Sequence, residues 1–260
     1  MEKNSPMKII KSELKKMEKE NHIKILFAVE TGSRLWRFES KDSDYDIRFV
    51  YIRQTKEYLK LHKPADVIMK QIDDKDFVGF DIYKFCNLLM NSNPSIIEWL
   101  QSDLIYFDDG ITKKKLWEIA QKNYNPLALV NHYKSMGKQN YLKYLKSGDL
   151  TTEKKYLYSL RGICVAKWVE NKRTIAPVIF ESLLKEQDFL PEALVKRMKI
   201  MIENKKMAKE KERIQNIKIF DEFIENALKT ESHQELNRKF AGRLELEEFV
   251  MSLHELNKLE

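Results

Sequence analysis

The feature that most constrains this chain is a short apolar run that stops at Gly32-Ser33 and is followed, twelve residues after the glycine, by two alternate aspartates. The apolar run is rich in β-formers and predicts a buried strand. The run 45–52 predicts a second strand, along which side chains alternate faces, so Asp44 and Asp46 point the same way. The segment therefore predicts a strand, a tight turn, a short helix and a second strand that carries two carboxylates on one face.

These residue types suit a site for metal ions and phosphates. Two neighbouring carboxylates, Asp44 and Asp46, repel each other unless a cation lies between them, and hard oxygen ligands favour Mg²⁺ or Mn²⁺. Gly32 allows the backbone to approach a ligand closely, and Ser33 begins a short helix whose N–H groups can bind an anion. Arg34 stands beside them. The alternative is that the aspartates belong to an ordinary turn.

A site for two metal ions usually has a third carboxylate, and Asp81 is the candidate. It lies between Phe80 and Ile82 at the end of an apolar strand, where an ionised group is costly without a partner. The alternative is that strand alternation places Asp81 on the solvent face.

The rest of the chain changes character near residue 125. Before it, strands are predicted over 23–29, 45–52, 67–72, 76–82 and 104–107, between helices over 8–21, 83–92, 94–99 and 112–122. After it the pattern is almost wholly helical, with helices predicted near 126–147, 152–170, 177–187, 191–210, 213–230 and 243–258. We therefore predict two domains, residues 1–125 and residues 126–260.

One face of a predicted helix in the second half carries basic residues. Lys154, Tyr158 and Arg161 recur at helical spacing, and Lys155 lies one position further round. They suit contacts with phosphates, or they form an ordinary exposed edge of a helix whose other face is core.

Composition limits the classes of protein. The 260 residues carry a formal net charge of +7, which hints at a phosphate-bearing partner. The two cysteines form no CxxC motif and suit reduced thiols. No signal peptide or membrane-spanning run is visible, so we expect a cytoplasmic protein that does not enter a membrane.

The Gly-Ser, spacer, Asp-x-Asp and later aspartate resemble the DNA polymerase β nucleotidyltransferase superfamily. More narrowly, four segments resemble one bacterial, archaeal and phage family of predicted nucleotidyltransferases, some encoded beside RNA-repair genes. These segments are ETGSRLWRFESKDSDYDIRFVYIR, VGFDIYKFCNLLMNSNPSIIEWLQSDLIY, HYKSMGKQNY and KKYLYSLRGICVAKWV. The similarity covers residues 22–185.

The resemblance implies a role for each matching residue. Gly32 and Ser33 would hold the triphosphate of an NTP substrate, Asp44 and Asp46 would bind both metal ions, and Asp81 would complete the second metal site and help to deprotonate the incoming hydroxyl. The predicted NTP contacts also include Arg34, Lys155, Tyr158 and Arg161.

The resemblance also implies an α+β fold, in which a polymerase-beta-like nucleotidyltransferase domain with a small mixed sheet and helices precedes an all-helical domain. The expected reaction is Mg²⁺- or Mn²⁺-dependent transfer of NMP from an NTP to an acceptor hydroxyl, with release of pyrophosphate. An RNA 3′ end is the first choice of acceptor. The alternatives are transfer to a protein or small-molecule hydroxyl, and a catalytically silent module that binds nucleotide or RNA.

Overall fold

A computed structural model describes residues 5–146, 150–207, 213–230 and 234–256. By contact density the chain divides into two compact units. The first unit comprises Met1–Gly32, Asp44–Tyr124 and Phe240–Glu260, and the second comprises Ser33–Ser43 and Asn125–Lys239. One division falls between Tyr124 and Asn125, and the contacts also group residues 33–43 with the second unit and residues 240–260 with the first.

The described residues form seven strands and twelve α-helices. The strands are β1 (Ile23–Glu30), β2 (Tyr45–Arg53), β3 (Val67–Ile72), β4 (Lys75–Asp81), β5 (Ile105–Asp108), β6 (Leu150–Thr151) and β7 (Ile214–Gln215). The helices are α1 (Pro6–Asn21), α2 (Gly32–Leu35), α3 (Thr55–Tyr58), α4 (Ile82–Met90), α5 (Pro94–Gln101), α6 (Thr112–Asn123), α7 (Pro126–Tyr144), α8 (Glu153–Lys172), α9 (Phe180–Glu186), α10 (Glu192–Met207), α11 (Lys218–Lys229) and α12 (Arg243–Leu256), with a short 3-10 helix at Gln234–Leu236.

The first unit is built on a five-stranded sheet with the order β3-β4-β2-β1-β5. β2 pairs antiparallel with β1 and parallel with β4, while β3 and β5 pair antiparallel with their neighbours. The sheet is therefore mixed, and the predicted α+β class with a small mixed sheet and helices is confirmed. Within the described ranges, no helix combines the length and apolar character needed to cross a bilayer.

Helix α1 covers one face of this sheet. Its buried Leu14 and Met17 pack with Phe49, Tyr51 and other side chains of the sheet in one apolar cluster. Along β2 the cluster takes every second residue, so the intervening residues of β2 face the other side of the sheet. That other side carries the carboxylates described below.

The second unit centres on the helix pair α7 and α8, which cross at two glycines. A Cβ added at Gly162 would lie 2.8 Å from the carbonyl oxygen of Tyr133 and 2.9 Å from the backbone nitrogen of Gly137. The buried Ser159 hydroxyl donates a hydrogen bond of 2.8 Å to the Gly137 carbonyl. Only a residue without a side chain allows two helix backbones to approach this closely.

Two local features of the structure differ from the prediction. Strands β6 and β7 pair antiparallel although more than 60 residues separate them, and this pairing is not predicted; Ile214 of β7 falls in a stretch that the sequence assigns to a helix. Helix α3 is one turn long, too short to show a period. The predicted helix ends at residues 147, 208–210 and 257–258 lie outside the described residues.

Candidate active site

The turn after β1 brings the backbone of Gly32 against the carboxylate of Asp46. The backbone N–H of Thr31 donates to the Asp46 carbonyl at 2.9 Å, which joins the end of β1 to the start of β2. Gly32 has φ +64°, and a Cβ at this position would lie 2.1 Å from Asp46 Oδ2. Glycine is therefore required twice, once by the left-handed backbone and once by the neighbouring carboxylate.

The loop between the glycine and the aspartates is held by its own hydrogen bonds. Ser33 is buried, and its carbonyl accepts from the N–H of Phe38 at 3.1 Å. Arg34 Nη2 donates to the carbonyl of Ser43 at 2.7 Å. The Ser40 N–H donates to Ser43 Oγ at 3.0 Å, and the two hydroxyls lie 3.0 Å apart. Arg34 thus braces the segment that leads into the aspartates.

The two predicted aspartates stand at the start of β2. Asp44 precedes the strand and is exposed, and Asp46 is half-buried. Tyr45 and Ile47 pack in the apolar cluster with α1, so Asp46 faces the opposite side of the sheet. The pairing of β1 with β2 places Gly32 and Asp46 together, as the sequence predicts.

A buried glutamate fixes the backbone at this position. Glu30, the last residue of β1, is 1% exposed and accepts the backbone N–H of Asp46 at 2.6 Å through Oε1. Its Oε2 accepts a short hydrogen bond from the hydroxyl of Tyr106 on β5. Ser102 Oγ donates to the Glu30 carbonyl at 2.7 Å. Glu30 therefore ties three strands together beside Asp46, a role that the sequence alone did not indicate.

Asp76 is the carboxylate that the sheet places beside Asp46. The parallel pairing of β2 with β4 sets these two residues in register. Arg48 Nη2 donates to Asp46 Oδ1 at 3.1 Å and to Asp76 Oδ2 at 2.9 Å, and so bridges them. Arg48 Nη1 donates to the carbonyls of Ile47 and Asp76 at 3.1 and 3.0 Å. Sequence reasoning missed Asp76 because its position depends on which strands pair.

The structure does not bring Asp81 to this site. Asp81 pairs with Tyr51 and stands five residues beyond Asp76 on β4, roughly 16 Å away along an extended strand. Because five positions is an odd separation along a strand, the two side chains also lie on opposite faces. The burial of β4 shows this alternation, because Asp76 is half-buried whereas Asp81 is buried. The apolar neighbours of Asp81 in the sequence therefore do not determine where its side chain lies.

Asp81 instead caps a helix. Its Oδ1 accepts from the N–H of Tyr83 at 3.0 Å at the start of α4, and its Oδ2 accepts from the hydroxyl of Tyr58 at 2.7 Å. Burial raises the pKa of the Asp81 carboxyl, and the hydrogen bonds from Tyr58 and Tyr83 oppose that rise. The hydroxyl of Tyr83 in turn lies 3.0 Å from His254 Nε2 on α12. These contacts tie α3, α4 and α12 together.

The predicted contacts of the second unit fall into two groups. Arg161 is buried, and its guanidinium lies 4.1 Å from the ring centroid of Trp36. Tyr158 packs edge-on against Trp36 at 5.2 Å. Lys155 and Tyr158 line a cavity of about 590 Å³. The lining residues are Asn140, Tyr144, Thr152, Lys154, Lys155, Tyr158 and Arg213.

This cavity is basic and aromatic. Lys155 Nζ lies 4.1 Å from the ring centroid of Tyr144, and Lys154 Nζ lies 6.0 Å from that of Tyr158. A hydrogen bond with Lys143 lowers the pKa of the Tyr144 phenol. The described lining holds three cationic side chains and no carboxylate, so it can accept an anion such as a phosphate.

The carboxylates of the first unit fit a hard divalent cation in their chemistry. Asp44, Asp46 and Asp76 offer oxygen ligands, the type that Mg²⁺ and Mn²⁺ prefer. Asp46 and Asp76 are already close enough to share the Arg48 guanidinium. Across the described ranges, no group of three or more His, Cys, Asp or Glu side chains is arranged to hold a metal ion.

Comparisons with known proteins identify relatives. The RlaP family, described as the RNA repair pathway DNA polymerase beta family, matches residues 7–252. The uncharacterized protein YcgL of Bacillus subtilis strain 168 is 36% identical over 217 residues, which span 83% of each chain. A crystal structure of a nucleotidyltransferase-like protein from Exiguobacterium sibiricum aligns over 94% of this chain and 75% of that one, with 12% identity. Its TM-score of 0.32 is too low to support an argument.

Proposed function

Because this chain belongs to the RNA repair pathway DNA polymerase beta family, we propose that it is a metal-dependent nucleotidyltransferase that moves NMP from an NTP to the 3′ hydroxyl of an RNA and releases pyrophosphate. The observation that carries the proposal is the contact between the Gly32 turn and the Asp46 carboxylate. A backbone that a phosphate can approach closely then adjoins an oxygen ligand for its metal ion, the combination that phosphoryl transfer requires.

In this proposal Asp44, Asp46 and Asp76 hold Mg²⁺ or Mn²⁺, and Asp76 takes the role that the resemblance implies for Asp81. The bound metal ions would neutralise charge on the reacting phosphates. Gly32 and Ser33 receive the phosphates through backbone N–H groups. Glu30 holds the backbone of Asp46.

The cavity of the second unit supports a nucleotide ligand. Lys154, Lys155 and Arg213 would bind phosphate groups, and Tyr158 would flank them. Arg161 is assigned a supporting role, because its guanidinium stacks on Trp36 and it does not line the cavity.

RNA is the proposed acceptor for two reasons. The family carries an RNA repair description, and the chain has a formal net charge of +7, which suits a polyanionic partner. A protein side chain or a small-molecule hydroxyl is the second candidate acceptor, and a silent binding module is the third. With a labelled NTP, the first candidate labels RNA, the second labels a protein or a small molecule, and the third labels nothing.

Incubation with labelled NTPs, Mn²⁺ or Mg²⁺ and cellular RNA and protein tests the proposal. We expect label at RNA 3′ ends with the wild-type protein, and its loss with Asp46→Asn and Asp76→Asn, which keep side-chain shape. Asp66→Asn is the control, since Asp66 is an exposed partner of Lys84. Label on protein or on a small molecule would show that this molecule, and not RNA, is the acceptor. Full activity of Asp46→Asn would refute the metal site.

Binding to the cavity is tested separately. We expect Lys154→Ala combined with Lys155→Ala to weaken binding and to reduce its salt dependence, because phosphate contacts release counterions. Lys167→Ala, on the same helix, is the control. If only NTP binding weakens, the cavity binds the phosphates of the nucleotide; if only binding of single-stranded RNA weakens, it binds the phosphates of the RNA. Unchanged binding of both ligands would show that the cavity does not bind phosphate.

A further inference from the structure

Arg48 joins the two carboxylates that the register of β2 and β4 sets side by side. A single nitrogen, Nη2, donates to Asp46 Oδ1 at 3.1 Å and to Asp76 Oδ2 at 2.9 Å. The arginine side chain is 17% exposed, and each aspartate side chain is 34% exposed. The three groups thus form one partly buried charge cluster in which an intrinsic cation balances part of the negative charge.

Arg48 is held in place independently of the carboxylates. Its Nη1 donates to the carbonyls of Ile47 and Asp76 at 3.1 and 3.0 Å, and backbone carbonyls do not move with the rotamers of the aspartates. Arg48 stands two residues from Asp46 on β2, so the two side chains lie on the same face of the sheet. The guanidinium is therefore a fixed neighbour of any cation that binds these carboxylates.

We infer that Arg48 is a positioning residue that sets the divalent-cation affinity of Asp46 and Asp76: it holds the two carboxylates together and weakens metal binding by its own charge. The inference rests on the proposed function, because it takes these carboxylates as the metal ligands. Like charges a few ångströms apart repel even in bulk water, and the repulsion doubles for a divalent ion.

Two effects of opposite sign follow when the guanidinium is removed. The metal-free protein loses stability, because the two carboxylates then repel each other without a cation between them. The affinity for Mn²⁺ rises by about tenfold or more, because the repulsion between the guanidinium and the ion is gone. A residue that served only to hold the fold together would give the first effect without the second.

The test measures Mn²⁺ binding at equilibrium, by electron paramagnetic resonance of the free ion, without NTP or acceptor. Arg48→Met and Arg48→Gln are expected to bind Mn²⁺ about tenfold more tightly than the wild type, and Arg48→Lys, which keeps a charge, to stay close to it. Melting temperatures in EDTA and in Mn²⁺ give the second readout. The rise caused by Mn²⁺ is expected to be larger in Arg48→Met than in the wild type.

Arg53→Met is the matched control. Arg53 ends the same strand and also donates to a backbone carbonyl, that of Asn21, at 2.9 Å. It stands seven residues from Asp46, roughly 23 Å along the strand, so its loss should leave Mn²⁺ affinity unchanged.

Equal or weaker Mn²⁺ binding by folded Arg48→Met and Arg48→Gln would overturn the inference, and so would an absence of Mn²⁺ binding by every variant. The inference and the proposed function can fail separately. Nucleotide transfer that is lost in Asp46→Asn, with no change of Mn²⁺ affinity in Arg48→Met, would refute only the role of Arg48. If Arg48→Met binds Mn²⁺ more tightly but the wild-type protein transfers no nucleotide, only the proposed reaction is refuted.

Discussion

Replacing Gly32 with alanine separates backbone strain from damage to the candidate site. Gly32 has φ +64°, a region that costs an alanine roughly 1–2 kcal/mol. The smaller freedom of the unfolded alanine chain offsets about 0.4–1 kcal/mol of this cost. We therefore expect a net loss of stability of about 1 kcal/mol, which lowers the melting temperature by about 2–4 °C in a chain of this size.

The loss of activity should be much larger than the loss of stability. The new Cβ would lie 2.1 Å from Asp46 Oδ2, whereas real Cβ contacts start near 3.0 Å, so the carboxylate must retreat by about 1 Å. The carboxylate can rotate away, but its other oxygen then leaves the hydrogen bond from Arg48, which adds to the loss of stability. A displacement of this size in a reacting site costs on the order of 100-fold in rate.

Gly110→Ala is the matched control for this experiment. Gly110 has φ +81°, and a Cβ there would meet nothing within 4 Å. Both variants should therefore lose stability in thermal unfolding through backbone strain, while only Gly32→Ala should lose nucleotide transfer. Equal activity of the two variants, whether high or low, would refute the argument that Gly32 is needed for the position of Asp46.

Three further predictions concern residues that support the fold of either unit. Glu30→Gln should lower stability by about 1–3 kcal/mol in urea unfolding, because the amide replaces one of the two carboxylate oxygens that accept from the Asp46 N–H and the Tyr106 hydroxyl, and it removes their charged acceptor; an unchanged midpoint would contradict it. Gly162→Ala should cost about 1–3 kcal/mol, because its Cβ would meet backbone atoms of α7; wild-type stability would show that the helix crossing adjusts freely. Burial raises the pKa of Asp81, so the stability it contributes is present below the unfolded pKa and is lost as pH rises through the folded one; the stability of wild type relative to Asp81→Asn should fall from pH 4 to pH 7, and a constant difference would contradict this.

Local pattern was enough to predict most of the first unit. The apolar run of β1, the alternation of β2 and the glycine between them are each visible within a few residues. The approach of Gly32 to Asp46 followed from pairing two strands that are adjacent in the chain. Neighbours in sequence often pair in space, and this explains why the core of the candidate site could be predicted.

Asp76 could not be found in the same way. Its position beside Asp46 depends on β2 pairing parallel with β4 rather than with β3, and on a register that no local pattern states. Strand β4 carries two aspartates. The apolar neighbours of Asp81 favoured it as the candidate, but its side chain lies on the opposite face of the strand from that of Asp76. The packing of Trp36 with Tyr158 and Arg161 is also non-local, since more than a hundred residues separate them.

The surroundings of Asp46 and Asp81 give a chemical reason to distinguish them. A carboxylate must be deprotonated to bind a metal ion. Asp46 is half-buried and accepts a hydrogen bond from Arg48. Asp81 is buried and accepts hydrogen bonds from the Tyr58 hydroxyl and the Tyr83 backbone N–H, and burial raises the pKa of its carboxyl. Both Asp81 oxygens thus accept hydrogen bonds from the protein, whereas the side chains of Asp46 and Asp76 are each 34% exposed beside the Arg48 guanidinium.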